Sequence, residues 1–130
     1  MTNAPKKAPP EEKLAGLRSY CPIASSLDFL GDKWTLVIIR DMLGGASRYQ
    51  QFLRAPEGIP TNILADRLKK MEEVGLVTKR QYSDHKRRFE YLPTQRCRDL
   101  FPVVQEIARW GQKHVQDAWN PPDWFWEGTP

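Results

Sequence analysis

EGIPTNILADRLKKMEEVGLVTKRQYSDHKRRFEY, residues 57–91, decides the fold, because it writes a helix with one apolar face followed by two strands around a basic turn. Leu64, Leu68 and Met71 recur at spacings of four and three, which places them on one helical face and leaves Asn62, Asp66, Lys69 and Lys70 looking outward. Gly75 stops the helix. Leu76 to Tyr82 and Arg88 to Leu92 contain β-branched and aromatic residues, and Ser83-Asp84-His85-Lys86-Arg87 is the polar turn between them. The hairpin tip therefore carries Lys86, Arg87 and Arg88.

Upstream, Ser47-Arg48-Tyr49-Gln50 has the spacing of a capping box and opens a helix over 48–55, with Tyr49, Phe52 and Leu53 turned inward. A short turn holding Pro56, Gly58 and Pro60 joins it to the helix at 61–74, which gives the pair helix-turn-helix proportions. Earlier still, Asp32 is placed to cap a helix in which Trp34, Leu36, Val37, Ile38, Ile39, Met42 and Leu43 are apolar nearly all round. That is the pattern of a core helix, closed by Gly44-Gly45. Pro22 suits the first turn of another helix, whose Ile23, Leu27 and Leu30 form a stripe ending at Gly31.

Downstream, Leu100, Val103, Val104, Ile107, Trp110 and Gly111 repeat with a helical period, with Thr94 as a cap. Pro102 removes a backbone hydrogen bond there, so a kink or short break is predicted. Several helices and one hairpin make an α+β chain, mostly helical, of the winged helix-turn-helix type.

At 130 residues with 40% hydrophobic content, five Trp and five Phe, the chain fits one domain with one core. Residues 1–19 read as a flexible arm, since Pro5, Pro9, Pro10 and charged side chains dominate its start. Residues 20–116 are the folded domain, and 117–130 an acidic tail with Trp124, Phe125 and Trp126 adjacent, expected to dock somewhere. No apolar run has membrane-spanning length and no signal-peptide pattern opens the chain, so a cytoplasmic protein without a membrane partner is expected. Two cysteines and two histidines, far apart and without metal spacing, argue against zinc, a disulfide framework or another cofactor.

The net charge of +4 matters less than its placement, because residues 61–98 hold ten Lys and Arg against five Asp and Glu. A polyanion is the expected partner, and double-stranded DNA the common one, with a solvated basic face as the bland alternative. In a helix-turn-helix the start of the second helix enters the major groove, where Asn62 can read adenine and Thr61 can bond a base or a phosphate, or cap its helix. Arg67, at the edge of the apolar face, can reach DNA or pair with Asp66 or Glu73. Lys69 faces outward beside it. Arg48 can meet a phosphate at the preceding helix start, and Lys86, Arg87 and Arg88 suit phosphate or minor-groove contact. Phe89 and Tyr91 read as braces of the hairpin.

Enzyme signatures are absent: the sequence has no glycine-rich phosphate loop, no Gly-x-Ser-x-Gly and no triad. Cys21, just before Pro22 at a helix start, is the one reactive candidate, against burial as a small hydrophobe. Two alternative functions stay open, a Cys21-dependent redox enzyme and a protein adaptor that uses the aromatic tail.

Taken together, Cys21-Pro22, GDKWTL (31–36), RDML (40–43), SRYQQF (47–52), GIPTNILADRLKKMEEVGLV (58–77) and FEYLPT (89–94) resemble the HxlR-type winged-helix transcriptional regulators, relatives of the MarR group. The resemblance spans roughly residues 20–115. It implies a homodimer built through the terminal helices that binds a two-fold operator, often as a repressor. It further implies that the cysteine matching Cys21 serves some members as a sensor of oxidants, quinones or aldehydes, so an effector is a possible partner. This chain departs from the pattern at the wing tip Asp84-His85-Lys86, often Pro-rich in the family, at Cys97 where glycine is usual, and at Pro60 where serine is common. The aromatic tail lies outside the family pattern.

Overall fold

The computed structural model describes residues 13–15, 18–84 and 88–127. Seven helices and one hairpin follow in the order α1 (Pro22–Leu30), α2 (Thr35–Leu43), α3 (Tyr49–Leu53), α4 (Thr61–Glu73), β1 (Val77–Gln81), β2 (Phe89–Pro93), α5 (Gln95–Arg98), α6 (Phe101–His114) and α7 (Asp123–Glu127). The expected α+β winged helix-turn-helix is the observed fold.

Helix α4 packs as its periodicity requires, with Leu64, Leu68 and Met71 buried. Its end is a Schellman motif: Leu76 N–H donates to Met71 O at 2.8 Å and Gly75 N–H to Glu72 O at 3.1 Å. Gly75 takes the φ of 78° that this reversal needs. The buried Leu76 and Met71 close the motif and send the chain straight into β1.

Strands β1 and β2 pair antiparallel with Lys79 opposite Tyr91 and Gln81 opposite Phe89. On the outer side of β2, Tyr91 N–H donates to Ser47 O at 2.7 Å, so the α2–α3 loop occupies the position of a third strand. Tyr91 is buried 5.9 Å from the Tyr49 ring, and burial together with Tyr49 pushes its hydroxyl up to about 12. Tyr91 is thus the brace the sequence anticipated.

Helix α2 lies at the centre, burying Thr35, Ile38, Ile39 and Met42. Asp32 caps it across the preceding turn, accepting from Trp34 N–H at 2.9 Å, Thr35 N–H at 3.0 Å and the Thr35 hydroxyl at 2.5 Å. Arg40 from this helix makes a bidentate pair with Glu57, both contacts 2.8 Å, which ties α2 to the α3–α4 turn.

Two details differ from the sequence reading. The N–H groups of Ser47 and Arg48 are capped by Gln51 Oε1, at 2.8 and 3.0 Å, because Gln51 rather than Gln50 reaches back over the first turn. Thr94 caps the short α5 through Cys97 N–H, and Pro102 sits in the first turn of α6, where its missing N–H leaves nothing unsatisfied. The predicted break therefore falls before the proline. The apolar stripes of α1 and α6 are only partly filled: Val104 is buried in the core, whereas α1 buries no residue and Ile23, Leu27, Val103, Ile107 and Trp110 are exposed.

The aromatic tail docks on the chain's own core. Phe125 is only 4% exposed and meets Phe101 edge-on at 5.8 Å, while Trp124 stacks on Phe101 at 6.5 Å. Gln105 Nε2 donates to Phe125 O at 2.7 Å, and the Arg109 guanidinium lies over Trp126 at 5.1 Å. Gly44 makes this fit possible, since a Cβ there would stand 3.0 Å from the Trp124 ring. Among the described residues no helix is long and apolar enough to cross a membrane.

Candidate nucleic-acid interface

The exposed start of α4 and the base of the hairpin make the candidate surface. Pro60, extended at φ −64° and ψ 146°, occupies the cap position, and Thr61 is the first helical residue. No side chain caps this helix, so the Thr61 hydroxyl is not committed to a cap. Thr61, Asn62 and Lys69 are exposed, Asn62 and Lys69 on the flank turned away from Leu64 and Leu68 and Thr61 at the open end of the helix. The N–H groups of this first turn have no side-chain cap, which leaves donors for an approaching anion or base edge.

Arg67 behaves differently. Its Nε donates to Asp32 Oδ2 at 2.9 Å, and Nη1 contacts Asp66. Of the readings left open for this residue, the ion pair is the one present, and Asp32 is a partner no sequence spacing could find, 35 positions away. Burial works against the charged carboxylate, yet hydrogen bonds from the Thr35 hydroxyl, Arg67 and the N–H groups of Trp34 and Thr35 hold Asp32 down to about 2. One carboxylate therefore caps the core helix α2 and grips α4. A small cleft of about 300 Å³ between α1 and α4 is lined by Asp32, Arg67 and Met71.

Between α3 and the hairpin lies a second cleft of about 400 Å³, lined by Arg48, Gln50, Arg54, Tyr82, Arg88 and Tyr91 among others. The Arg48 guanidinium stacks over the Tyr82 ring at 3.7 Å, which holds it at the cleft rim without neutralising it. Glu90 is occupied by Arg80 and by the Ser47 hydroxyl at 3.4 Å. Among the described residues no ion pair involves Arg48, Arg54 or Arg88, so three guanidinium groups border one opening.

Arg54, Gln50 and Tyr82 were missed by the sequence reading. Arg54 stands six positions after Arg48, a spacing that carries no signal until Ser47 is seen bonded to Tyr91 and the α3 start is drawn against the hairpin. Lys86 and Arg87 lie outside the described residues, while Arg88 is exposed at the foot of β2.

Cys21 is exposed at the cap position of α1, and Cys97 is fully buried. Burial, only slightly offset by Arg98, pushes the Cys97 thiol up to about 12. Only Cys21 is open to reagents.

A helix-turn-helix braced on its own core helix, with a two-stranded hairpin beside the second helix, is the architecture of a winged-helix DNA-binding module. Residues 29–118 match the family described as HxlR-like helix-turn-helix, and the chain belongs to that family. An uncharacterized HTH-type transcriptional regulator from Mycobacterium tuberculosis (strain H37Rv) is 35% identical over 100 residues, covering 77% of this chain and 63% of the relative. The chain thus spans somewhat less than two thirds of that relative's length. Among solved structures, PA1607, described as a transcription factor, superposes with a TM-score of 0.71 at 32% identity, over 80% of this chain and 73% of the other. The redox regulator HypR in its reduced form gives 0.67 at 28% identity, over 73% of this chain and 94% of the other.

Proposed function

We propose that this protein is a sequence-specific, double-stranded-DNA-binding transcriptional regulator that acts as a repressor on an inverted-repeat operator. The observation that carries this is the α4 surface: Leu64, Leu68 and Met71 are consumed by the core, and its uncapped, polar start is exposed. Thr61 and Asn62 read base edges in the major groove. Arg48, Lys69 and Arg88, with Lys86 and Arg87 of the tip, meet phosphates. Arg67 serves the same surface by fixing the angle of α4 through Asp32.

The working form is a homodimer. Ile23 and Leu27 on α1 and Val103, Ile107 and Trp110 on α6 leave two apolar stripes in water on one chain, and such patches mark association surfaces. Two copies related by a two-fold axis present their α4 helices to half-sites about one helical turn, roughly 34 Å, apart. Footprinting the DNA that flanks the protein's own gene, followed by selection from random duplexes, tests this reading. An inverted repeat is expected, and Asn62→Ala should change the preferred base at one position per half-site; identical preferences for variant and parent would remove Asn62 from base reading.

Cys21 is the sensor of an oxidant or electrophile in this reading, supported by its exposure and by the likeness to HypR. With Cys97 sealed in the core, oxidised Cys21 passes from sulfenic acid to a disulfide with a small thiol or with a second chain. Operator release by quinone or peroxide should then disappear in Cys21→Ser; undiminished release in that variant would exclude Cys21 as the sensor. The adaptor reading loses its free peptide, because the tail is folded onto the chain's own core.

A further inference from the structure

The cleft between α3 and the hairpin carries charge of one sign only. Among the described residues, every charged side chain that lines it is an arginine, Arg48, Arg54 or Arg88, and no carboxylate is part of its wall. Elsewhere the fold pairs its guanidinium groups: Arg18 with Asp28, Arg40 with Glu57, Arg67 with Asp32 and Arg80 with Glu90. Glu90, on which the charge of Arg48 also acts, is already held by Arg80 Nε at 2.9 Å and by the Ser47 hydroxyl. Three like charges around an opening of about 400 Å³ repel one another, and water and salt screen that repulsion without removing it.

The walls of the cleft are fixed. Tyr82 positions two of the three arginines, carrying the Arg48 guanidinium on its ring face at 3.7 Å and donating its N–H to Arg88 O at 3.1 Å. Arg48 and Arg54 occupy the two cap positions of α3, and the Ser47–Tyr91 bond pins the start of that helix to β2. Gln51, also in the wall, spends its Oε1 on the N–H groups of Ser47 and Arg48, so its NH2 remains as a donor. All of the charges, and the spare end of Gln51, favour an anion.

Charge counting says which anion. A backbone phosphodiester brings one negative charge to these three guanidinium groups. A terminal phosphate brings about −1.5 to −2 at neutral pH, and linked phosphates bring more. The volume lies within the range of small-ligand pockets, roughly 300–1,000 Å³.

We propose that the cleft of Arg48, Arg54 and Arg88 binds a small molecule carrying a di- or triphosphate group, and that this ligand competes with DNA for Arg48 and Arg88. Each guanidinium offers a fork of N–H donors to phosphoryl oxygens. Arg54 serves the ligand alone, so it separates the two partners. Because ligand and DNA need the same two arginines, each lowers the affinity for the other. The competition rests on the DNA-binding reading above; the anion site stands without it.

Calorimetry on the full chain with sodium tripolyphosphate, free of divalent cations, is the test. One tripolyphosphate per chain should bind, about tenfold or more tighter than sulfate at equal ionic strength and than a dinucleotide with a single phosphodiester. Arg54→Gln should weaken it about tenfold, as loss of a hydrogen-bonded charge does. Lys113→Gln, which removes the same charge from the last turn of α6, should leave it unchanged. Tripolyphosphate should also release operator DNA from the parent, and Arg54→Gln should need about tenfold more, once each chain's own operator affinity is allowed for. Binding no tighter than sulfate, or weakened equally by Arg54→Gln and Lys113→Gln, reduces the cleft to a solvated basic face and overturns the inference. Dinucleotide binding as tight as tripolyphosphate assigns the cleft to the DNA backbone and overturns the free ligand. Arg54-dependent binding that leaves operator DNA in place overturns the competition. The same binding in a chain that holds no duplex DNA supports the anion site and removes the DNA-binding reading instead.

Discussion

The two halves of the molecule are satisfied to different degrees. From α2 to α5 almost every apolar side chain has a partner in the same chain, and the charged groups are paired in ways that fix geometry: Arg40 with Glu57, Arg67 with Asp32, Arg80 with Glu90. Around α1 and α6 the reverse holds, with apolar stripes and a groove left open. A core that is complete in one chain can hold a recognition helix steady. A surface left incomplete in one chain is what the proposed homodimer would cover.

That contrast can be broken first where its effect is largest. Leu68→Ala empties a fully buried site and should lower stability by about 3 kcal/mol in thermal unfolding, whatever the protein concentration. Leu27→Ala is the matching change in the other half, and there the loss should appear only as a concentration-dependent melting temperature. Equal losses at all concentrations would erase the distinction. Trp110→Asp carries the comparison further: a charge placed on the exposed α6 stripe should weaken the proposed dimer by about 2 kcal/mol or more while the helical circular dichroism of the chain persists.

Asp32 sharpens the comparison at the seam between the halves, since it joins the end of α1 to α4. Its carboxyl is held at about 2 against an ordinary 3.8, so its contribution is complete above pH 3.8 and is lost as pH falls through about 2. Asp32→Asn should therefore reduce stability at neutral pH by about 1 kcal/mol, after allowance for solvent screening, and converge with the parent near pH 2. A constant gap at all pH values would assign the loss to packing instead. The smallest effect is expected at the wing. Arg88→Ala should lower the slope of log affinity against log salt by about one unit, for cognate and random duplexes alike.

Much of the winged helix was legible because its signals are local. Leu64, Leu68 and Met71 announce α4 by period, Gly75 announces its end, and Thr94 announces a cap. The site was legible in part: Asn62 and Thr61 could be placed at a helix start, but the freedom of the Thr61 hydroxyl depended on Pro60 taking the cap position. Arg67 shows where such reasoning stops. Its neighbours in sequence include two acidic residues, yet its principal partner is Asp32, brought near only when the turn between α1 and α2 folds against α4. Arg54 escaped notice for the same reason, because the cleft it borders is made by an α3 start pulled onto β2.

The terminal helices teach the complementary lesson. Periodicity showed that Ile23, Leu27, Val103, Ile107 and Trp110 share apolar faces, but period alone cannot tell a face that meets its own core from one that meets a second chain. What the sequence by itself determined was the set of elements, their order, their apolar faces and the family signature, since each follows from short-range spacing and backbone preference. The tertiary structure alone decided which faces are filled, which arginines are already held, and that the tail docks by sinking Phe125 beside Phe101 and laying Trp124 over Gly44. Those outcomes depend on distances between residues far apart in the chain, which only packing sets.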